Sequence, residues 1–331
     1  MMAEHTGNPD HSSTIQGRAG ARAVAGHLRF VDPNSPSRRL RCVDPILVEV
    51  VRGDVVEARH RVHAVAVLEG EIVQSAGDPG LVAFFRSSAK PIQALPLVRA
   101  RPDLADEEIA IASASHSHRP DQLEPVRRLL AKAGATEADL ECGGAAPLEH
   151  TCSGKHAAML LLCRERGWPM EGYRLESHPC QQEMLEQVAA AANVDSDGVS
   201  TAVDGCGVPT YGLTLERMAC TFARFDATDA GRRVADAMRR NPELVSGEVR
   251  VDTDLMRLGD GWVAKYGAEG LLCGVRDGLG VALKVDDGAS RALRPALVAF
   301  LARLGLESGV LSDAPIENSR GEVVGELRVT S

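Results

Sequence analysis

The stretch GLLCGVRDGLGVALKV, residues 270–285, decides the fold. It holds two short apolar runs, Gly270–Val275 and Gly280–Val285, joined by Arg276-Asp277-Gly278-Leu279, and it reads as a hairpin. A matching strand-rich region lies far upstream. From Ile46 the chain reads ILVEVVR, then Val62-His63-Ala64-Val65-Ala66-Val67, a turn at Glu69-Gly70, and Glu71-Ile72-Val73-Gln74, with Asp78-Pro79-Gly80 closing it. This order predicts an antiparallel meander. Between the two regions the apolar spacing is helical. It covers Ala89–Arg101, with Pro91 tolerated in the first turn and Pro96 expected to kink it. Asp121-Gln122-Leu123-Glu124 resembles a capping box ahead of Val126–Ala133. Further helical patterns fall at Ala157–Arg166, Gln181–Ala192, Leu213–Phe225 and Arg232–Arg240, and a last one, Ser290–Leu304, follows the hairpin. Strands first, helices in the middle, a hairpin and helix last: this is an α+β order, one sheet assembled from both chain ends with a helical region inserted. A site then lies between sheet and helices. No internal repeat is evident.

Composition narrows the function. Residues 1–40 read as a disordered tail, ending in the linker-like Asn34-Ser35-Pro36-Ser37-Arg38-Arg39, and residues 41–331 as a single catalytic domain. Apolar residues make up 44% and aromatics only 3%, so the core must rest on Ala, Val, Leu and Ile. The net charge of −9, with no basic stripe, argues against nucleic acid and for small-molecule chemistry. No run of 18 or more apolar residues exists to span a membrane, and the N-terminus lacks a secretory pattern, so a cytoplasmic location is expected. The eight cysteines show no disulfide-framework spacing; Cys163 and Cys220 read as small core residues. Only five of the 37 basic residues are lysine, and Lys90, Lys155 and Lys265 sit in Gly/Ser/Cys-rich or small-residue segments. Lysine gives up its proton when desolvated and arginine does not.

Five segments carry candidate chemistry. In Arg86-Ser87-Ser88-Ala89-Lys90-Pro91, Ser87 and Lys90 are three residues apart, so a helix starting near Ser88 places them on one face. A buried lysine with a lowered pKa is a base for a serine nucleophile. Ser88 would point elsewhere, and Ser87 could equally cap the helix. Ala112-Ser113-Ala114-Ser115-His116-Ser117-His118 surrounds a histidine with small hydroxyl residues, as a polar-ligand site or a plain loop would. Thr151-Cys152-Ser153-Gly154-Lys155-His156 opens an apolar helix and suits an anion or carboxylate, but it lacks the spaced glycine of a nucleotide-binding loop. Asp204-Gly205-Cys206-Gly207-Val208-Pro209 is a turn that presents Asp204 beside Cys206; Cys152 with Cys206 could hold a metal or be two free thiols. In Val263-Ala264-Lys265-Tyr266-Gly267, a second lysine lies among small and apolar residues. It would lower the pKa of the first by repulsion or serve as another base. Upstream, Ser246-Gly247-Glu248 and Asp252-Thr253 form a polar segment able to cover a pocket.

Taken in order, HRVHAVAV, RSSAKPIQAL, ASHS, CSGKHAAML, DGCGVPT, SGEVRVDTDLM, VAKYGAEG and ALKVDDG resemble the asparaginase II protein family, the class 3 L-asparaginases, over about residues 46–305. The resemblance implies a fold similar to serine β-lactamases, penicillin-binding proteins and serine-dependent glutaminases. It implies two Ser-Lys pairs, Ser87 with Lys90 and Ser115 with Lys265. It implies zinc on Cys152, Lys155 and Cys206, substrate contacts from Arg86, His156 and Asp204, and a homodimer. His150-Thr151 replaces the family's Cys and Asn positions, and His118-Arg119 stands where smaller or acidic residues are common. The expectation is an L-asparagine amidohydrolase working through an acyl-enzyme. Its rivals are a related serine hydrolase acting on glutamine, a β-lactam or another small amide, a zinc-dependent hydrolase, and a zinc or amino-acid binding protein.

Overall fold

A computed structural model describes residues 44–311 and 315–330; the expected tail, residues 1–40, lies outside them. The strands are β1 (Ile46–Arg52), β2 (Val55–Leu68), β3 (Glu71–Ala76), β4 (Val82–Phe84), β5 (Ser200–Val203), β6 (Pro209–Thr214), β7 (Val263–Gly267), β8 (Leu271–Arg276), β9 (Leu279–Val285), β10 (Pro315–Glu317) and β11 (Val323–Thr330). The main sheet runs β10-β11-β1-β2-β9-β8-β7, with β3 also on β2, and every pairing is antiparallel. It is built from both chain ends around a helical middle, as the element order predicts.

Strand β2 makes this possible by its length. Its first half, Val55–Val62, pairs with β1, and its second half, Ala64–Leu68, pairs with β3. Along the other edge, Val62–Val67 takes the returning strand β9. Two tight turns set the registers. Glu69 and Gly70 have φ of 53° and 85°, Asp277 and Gly278 of 50° and 79°. Both loops take positive φ at both central residues, the twist that matches paired strands.

The helix Leu215–Ala223 packs across β2, β8 and β9. It approaches so closely at Gly280 that a Cβ there would lie 2.0 Å from Ala219 O. The helix Leu293–Arg303 packs on β1, β9 and β11. In the helical region, Lys90–Ala100 is central, in contact with Asp106–Ala112, Ser153–Arg166, Pro179–Ala192 and Asp229–Arg240. Every residue from Lys90 to Val98 is buried, the signature of a helix surrounded on all sides. It runs on through Pro96.

Several boundaries differ from the sequence reading. The helix expected at Val126 starts at Pro120, and the capping side chain is Gln122, whose Oε1 accepts from the backbone N–H of Ser117 and Arg119. Asp121 is held by Arg119 instead. The helix expected at Ala157 starts at Ser153. A second sheet, β4-β6-β5, and the hairpin β10-β11 were not anticipated. Among the described residues no helix is long and apolar enough to cross a membrane.

Candidate active site

The site starts at a strained turn. Residues Arg86–Ala89 form a single 3-10 turn that leads into the Lys90 helix. Phe85 N–H donates to Tyr211 O at 2.8 Å and Arg86 N–H to Thr210 Oγ1 at 3.0 Å, which fixes the turn to β6. The Ser88 hydroxyl is fully buried and donates to Lys265 O at 2.8 Å, which fixes it to β7. Ser88 therefore faces away from the chemistry, as its spacing implied. Arg86 is held at φ 47°, a left-handed conformation costly for a residue with a Cβ and found where surrounding contacts over-determine it. Its Nε donates to Asp204 Oδ1 at 2.9 Å. Ser87, between them, is half-buried, and its hydroxyl makes no hydrogen bond among the described residues.

Lys90 is buried in this turn. Its Nζ donates to Ala114 O at 2.6 Å, Ser115 Oγ at 3.0 Å and Cys152 Sγ at 3.3 Å. Burial, the largest influence, pushes its pKa down; the Lys155 charge adds to this, while the nearby thiols oppose it. The serine on Lys90 is thus Ser115. Ser87 meets Lys90 through the backbone, Ser87 O accepting the Lys90 N–H, because the 3-10 turn closes at that spacing.

Lys265, on β7, is fully buried. Its Nζ donates to Tyr266 O at 2.9 Å and to Ser246 Oγ at 3.2 Å, with Asp252 Oδ2 at 3.5 Å. Burial, joined by the Lys90 charge, lowers its pKa to about 8 against the opposing pull of Asp252. The Ser115–Lys265 pairing implied by the resemblance is not a direct hydrogen bond. Ser115 N–H instead donates to Val245 O at 2.7 Å, beside Ser246. Ser246 and Asp252 were read as cover for a pocket; nothing in their spacing announced that both would be buried on a lysine.

The Cys-Lys cluster assembles from two elements. Cys152 precedes the helix Ser153–Arg166, and Lys155 lies in its first turn. Cys206 sits in the turn between β5 and β6, where Asp204 N–H donates to Val208 O and Gly207 N–H to Asp204 O, each at 2.8 Å. Cys152 and Cys206 are hydrogen-bonded, and Lys155 Nζ donates to Cys206 Sγ at 3.2 Å. The hydrogen bond from Cys206, and after it the Lys90 charge, holds the Cys152 thiol far below its usual range. Burial alone would lower Lys155, but Cys206 and Cys152 outweigh it and raise its pKa. Two sulfurs and an amine therefore converge, a donor set that suits a soft divalent ion. Among the described residues no three His, Cys, Asp or Glu side chains are grouped to hold a metal, so Lys155 would have to be the third ligand.

His156, implied as a substrate contact, is fully buried. Its Nδ1 faces Tyr173 Oη at 2.6 Å and its Nε2 has no partner. Tyr173 Oη also accepts from Glu141 N–H at 2.9 Å. His116, close by, is a neutral imidazole: burial lowers its pKa to about 4. Its Nδ1 accepts from His118 N–H, so Nε2–H donates to Ser153 Oγ at 2.8 Å. Beside Arg86 a cleft of about 310 Å³ opens, lined by Leu81–Phe84, Glu269, Lys284 and Asp286.

Two buried lysines thus contact serine hydroxyls, Lys90 that of Ser115 and Lys265 that of Ser246, and Arg86 on the adjoining turn pairs with Asp204. The sequence matches the L-asparaginase II family over residues 48–329, and the chain belongs to that family of hydrolases acting on small molecules. No curated protein matches it. Among solved structures, a crystal structure from Bacteroides dorei DSM 17855 assigned as a beta-lactamase is 13% identical, with 73% of this chain and 93% of that chain covered and a TM-score of 0.40. A beta-lactamase from Mycobacterium bovis is 15% identical, with 74% and 95% covered and a TM-score of 0.32.

Proposed function

We propose that the protein hydrolyses the side-chain amide of L-asparagine to L-aspartate and ammonia. One observation carries this reading beyond the family: Lys90, fully buried and depressed by burial, touches a serine hydroxyl at 3.0 Å and follows directly on the turn that bears a second, free serine. Burial disfavours the ammonium form there, which makes the amine a readier proton acceptor than an exposed lysine.

Ser87 is the attacking group. Its hydroxyl is free, and it adjoins Arg86, whose charge with that of Asp204 complements the α-carboxylate and α-ammonium of an amino acid. Hydroxyls and bases that are loosely placed without substrate tighten when it binds. The Ser87 oxygen bonds to the amide carbon, and its proton passes to Lys90 by way of Ser115. The carbon–nitrogen bond then breaks, ammonia leaves with the proton from Lys90, and a β-acyl ester on Ser87 remains. Water attacks the ester, giving its proton back through the same groups, and aspartate departs. Lys265 and Ser115 orient that water and move its proton. His156 forms the wall behind Lys155, with its Nε2 buried and unpartnered.

Cys152, Lys155 and Cys206 would hold zinc, and bound zinc would supply a fixed positive charge and Lewis acidity beside Lys90. Holding it needs Lys155 neutral and both thiols ionised, so uptake releases protons. A zinc-dependent hydrolase with no acyl-enzyme is the reading this donor set would favour if no covalent intermediate forms.

The test is a substrate panel. Purified protein of known zinc content is given L-asparagine, L-glutamine and a β-lactam, and quenched samples are digested for mass spectrometry. Ammonia from asparagine with an acylated peptide containing Ser87 is the expected result. An acylated peptide containing Ser115 would exchange the two serine roles. Turnover of only glutamine or the β-lactam would move the substrate class.

A further inference from the structure

We propose that Ser246 and Asp252 are positioning residues that fix the direction of the hydrogen bonds on Lys265 and so leave one site on its amine free for proton transfer. The proposal rests on the reading of Lys265 as a proton-transfer group, and it assigns its serine partner as Ser246.

The argument is a count of donors and acceptors. Asp252 is fully buried, and an ionised carboxylate only accepts. Its Oδ1 takes Thr253 N–H at 3.1 Å, and its Oδ2 takes Tyr266 N–H at 2.8 Å and the Ser246 hydroxyl at 2.6 Å. The only proton on Ser246 Oγ is thereby committed to Asp252. Toward Lys265, 3.2 Å away, Ser246 Oγ can then only accept. Tyr266 O, a carbonyl, also only accepts, at 2.9 Å. A neutral amine has two N–H bonds and one lone pair. Asp252 Oδ2, 3.5 Å from Nζ, lies only 2.6 Å from Ser246 Oγ and so shares the N–H directed at Ser246; the other N–H goes to Tyr266 O, and the lone pair is left over. When Lys265 becomes an ammonium, the third N–H occupies that same place. One position on Nζ therefore alternates between acceptor and donor while the other two stay fixed, as a proton carrier requires.

Further contacts hold the unit in register. Lys265 O accepts from Ser88, on the turn that carries Ser87, and Val245 O, next to Ser246, accepts from Ser115. The charged and titratable groups that act on Lys265 are Asp252, which favours its ammonium, Lys90, which disfavours it, and Cys152. Without the Asp252 charge, burial and Lys90 act unopposed by it, so the amine would titrate lower still.

The experiment uses the full chain as wild type, Ser246→Ala, Ser246→Thr and Asp252→Asn. With only five lysines in the sequence, NMR of lysine labelled at Cε follows Lys265 directly through a pH titration. The pH profile of kcat/KM for asparagine is measured alongside. In Ser246→Ala the Lys265 pKa and the acidic limb of the profile should both move to lower pH. kcat should fall by roughly tenfold or more, while KM changes by less than about twofold. Ser246→Thr, which keeps the hydroxyl, should recover most of both. Asp252→Asn should shift Lys265 further; because its amide would set N–H against the N–H of Tyr266 or Thr253, Ser246→Ala decides the matter if that variant fails to fold. A folded Ser246→Ala protein in which Lys265 titrates and the profile falls as in wild type would overturn the proposal. Wild type that releases no ammonia, yet shows the NMR shifts, would sink the asparaginase reading and leave the positioning of Lys265 standing.

Discussion

Lys265 shows how much one residue carries. An ammonium is unfavourable in its buried site, so its pKa falls from 10.5 to about 8. Between those values the unfolded chain binds a proton there that the folded chain does not. Stability contributed by this group therefore rises with pH across that window, and below pH 8 the native state carries the full penalty. Replacing Lys265 by Met removes this titration, while leaving the buried Asp252 without its neighbouring amine. The stability of wild type relative to Lys265→Met should therefore rise between pH 8 and 10.5, read from chemical denaturation at each pH; a difference independent of pH would contradict a depressed lysine. His116 behaves alike at the acid end: with its pKa near 4, its contribution is lost as pH falls from 6.5 toward 4. At this scale the sequence was informative where residue type was unusual. Scarce lysines among small residues pointed to Lys90, Lys155 and Lys265, and all three are buried. Ser246 and Asp252 carried no such mark, because a polar residue in a polar segment reads as surface until the fold buries it. Lys155 meets Cys206 as the resemblance implies, but the serines that touch Lys90 and Lys265 are Ser115 and Ser246, because a long side chain reaches across elements and sequence spacing only measures along one.

At the scale of elements, the helix Ser153–Arg166 delivers Lys155 only because it lies against the helix Asp106–Ala112 at Gly154. A Cβ on Gly154 would sit 2.2 Å from Ile111 O. Backbone on both sides cannot yield, so Gly154→Ala must push the two helices apart. We expect a loss of about 1–3 kcal/mol in thermal or chemical denaturation, together with lower turnover, since Ser153, Lys155 and the Ala112–Ser115 loop move with those helices. Unchanged stability would mean the approach is looser than described. The elements themselves were legible wherever local chemistry was strong. Glu69-Gly70 and Asp277-Gly278 announced their hairpins, and the long apolar helices were found within a few residues. Strands β4, β5 and β6 escaped because they are short and one sits beside the Asp204–Val208 turn, where a site motif masked the strand pattern. The Pro120 helix was started late because its cap comes from Gln122, reaching back over Arg119, and not from the acidic box.

For the whole molecule, the sheet closes by bringing the last residues against the first described strand. Leu47–Val51 on β1 pair with Glu326–Thr330 on β11, and Glu49 is held by Arg59 on one side and Arg328 on the other. Removing residues 312–331 would turn β1 into an exposed edge and leave Glu49 with one partner. Open edges pair with other chains. The truncated chain should give less soluble protein and scatter light on mild heating, at a temperature where the full chain stays clear; equal solubility would show that β10 and β11 are dispensable. The α+β order, with both chain ends in one sheet, was readable from where strand-like and helical segments fall. That the final hairpin joins β1 was not, since none of its strand residues is fully buried and its alternating stretch, Glu326–Thr330, is short. This architecture sets the turn at Arg86 between β6 and β7 and so brings Ser87, Lys90, Ser115 and Lys265 into one neighbourhood. The most direct test of the account is the initial rate of ammonia release from L-asparagine by wild type and Ser87→Ala, both shown to be folded. The account predicts release by wild type and a loss of roughly a thousandfold or more in Ser87→Ala. Release that persists in Ser87→Ala at near the wild-type rate would contradict it.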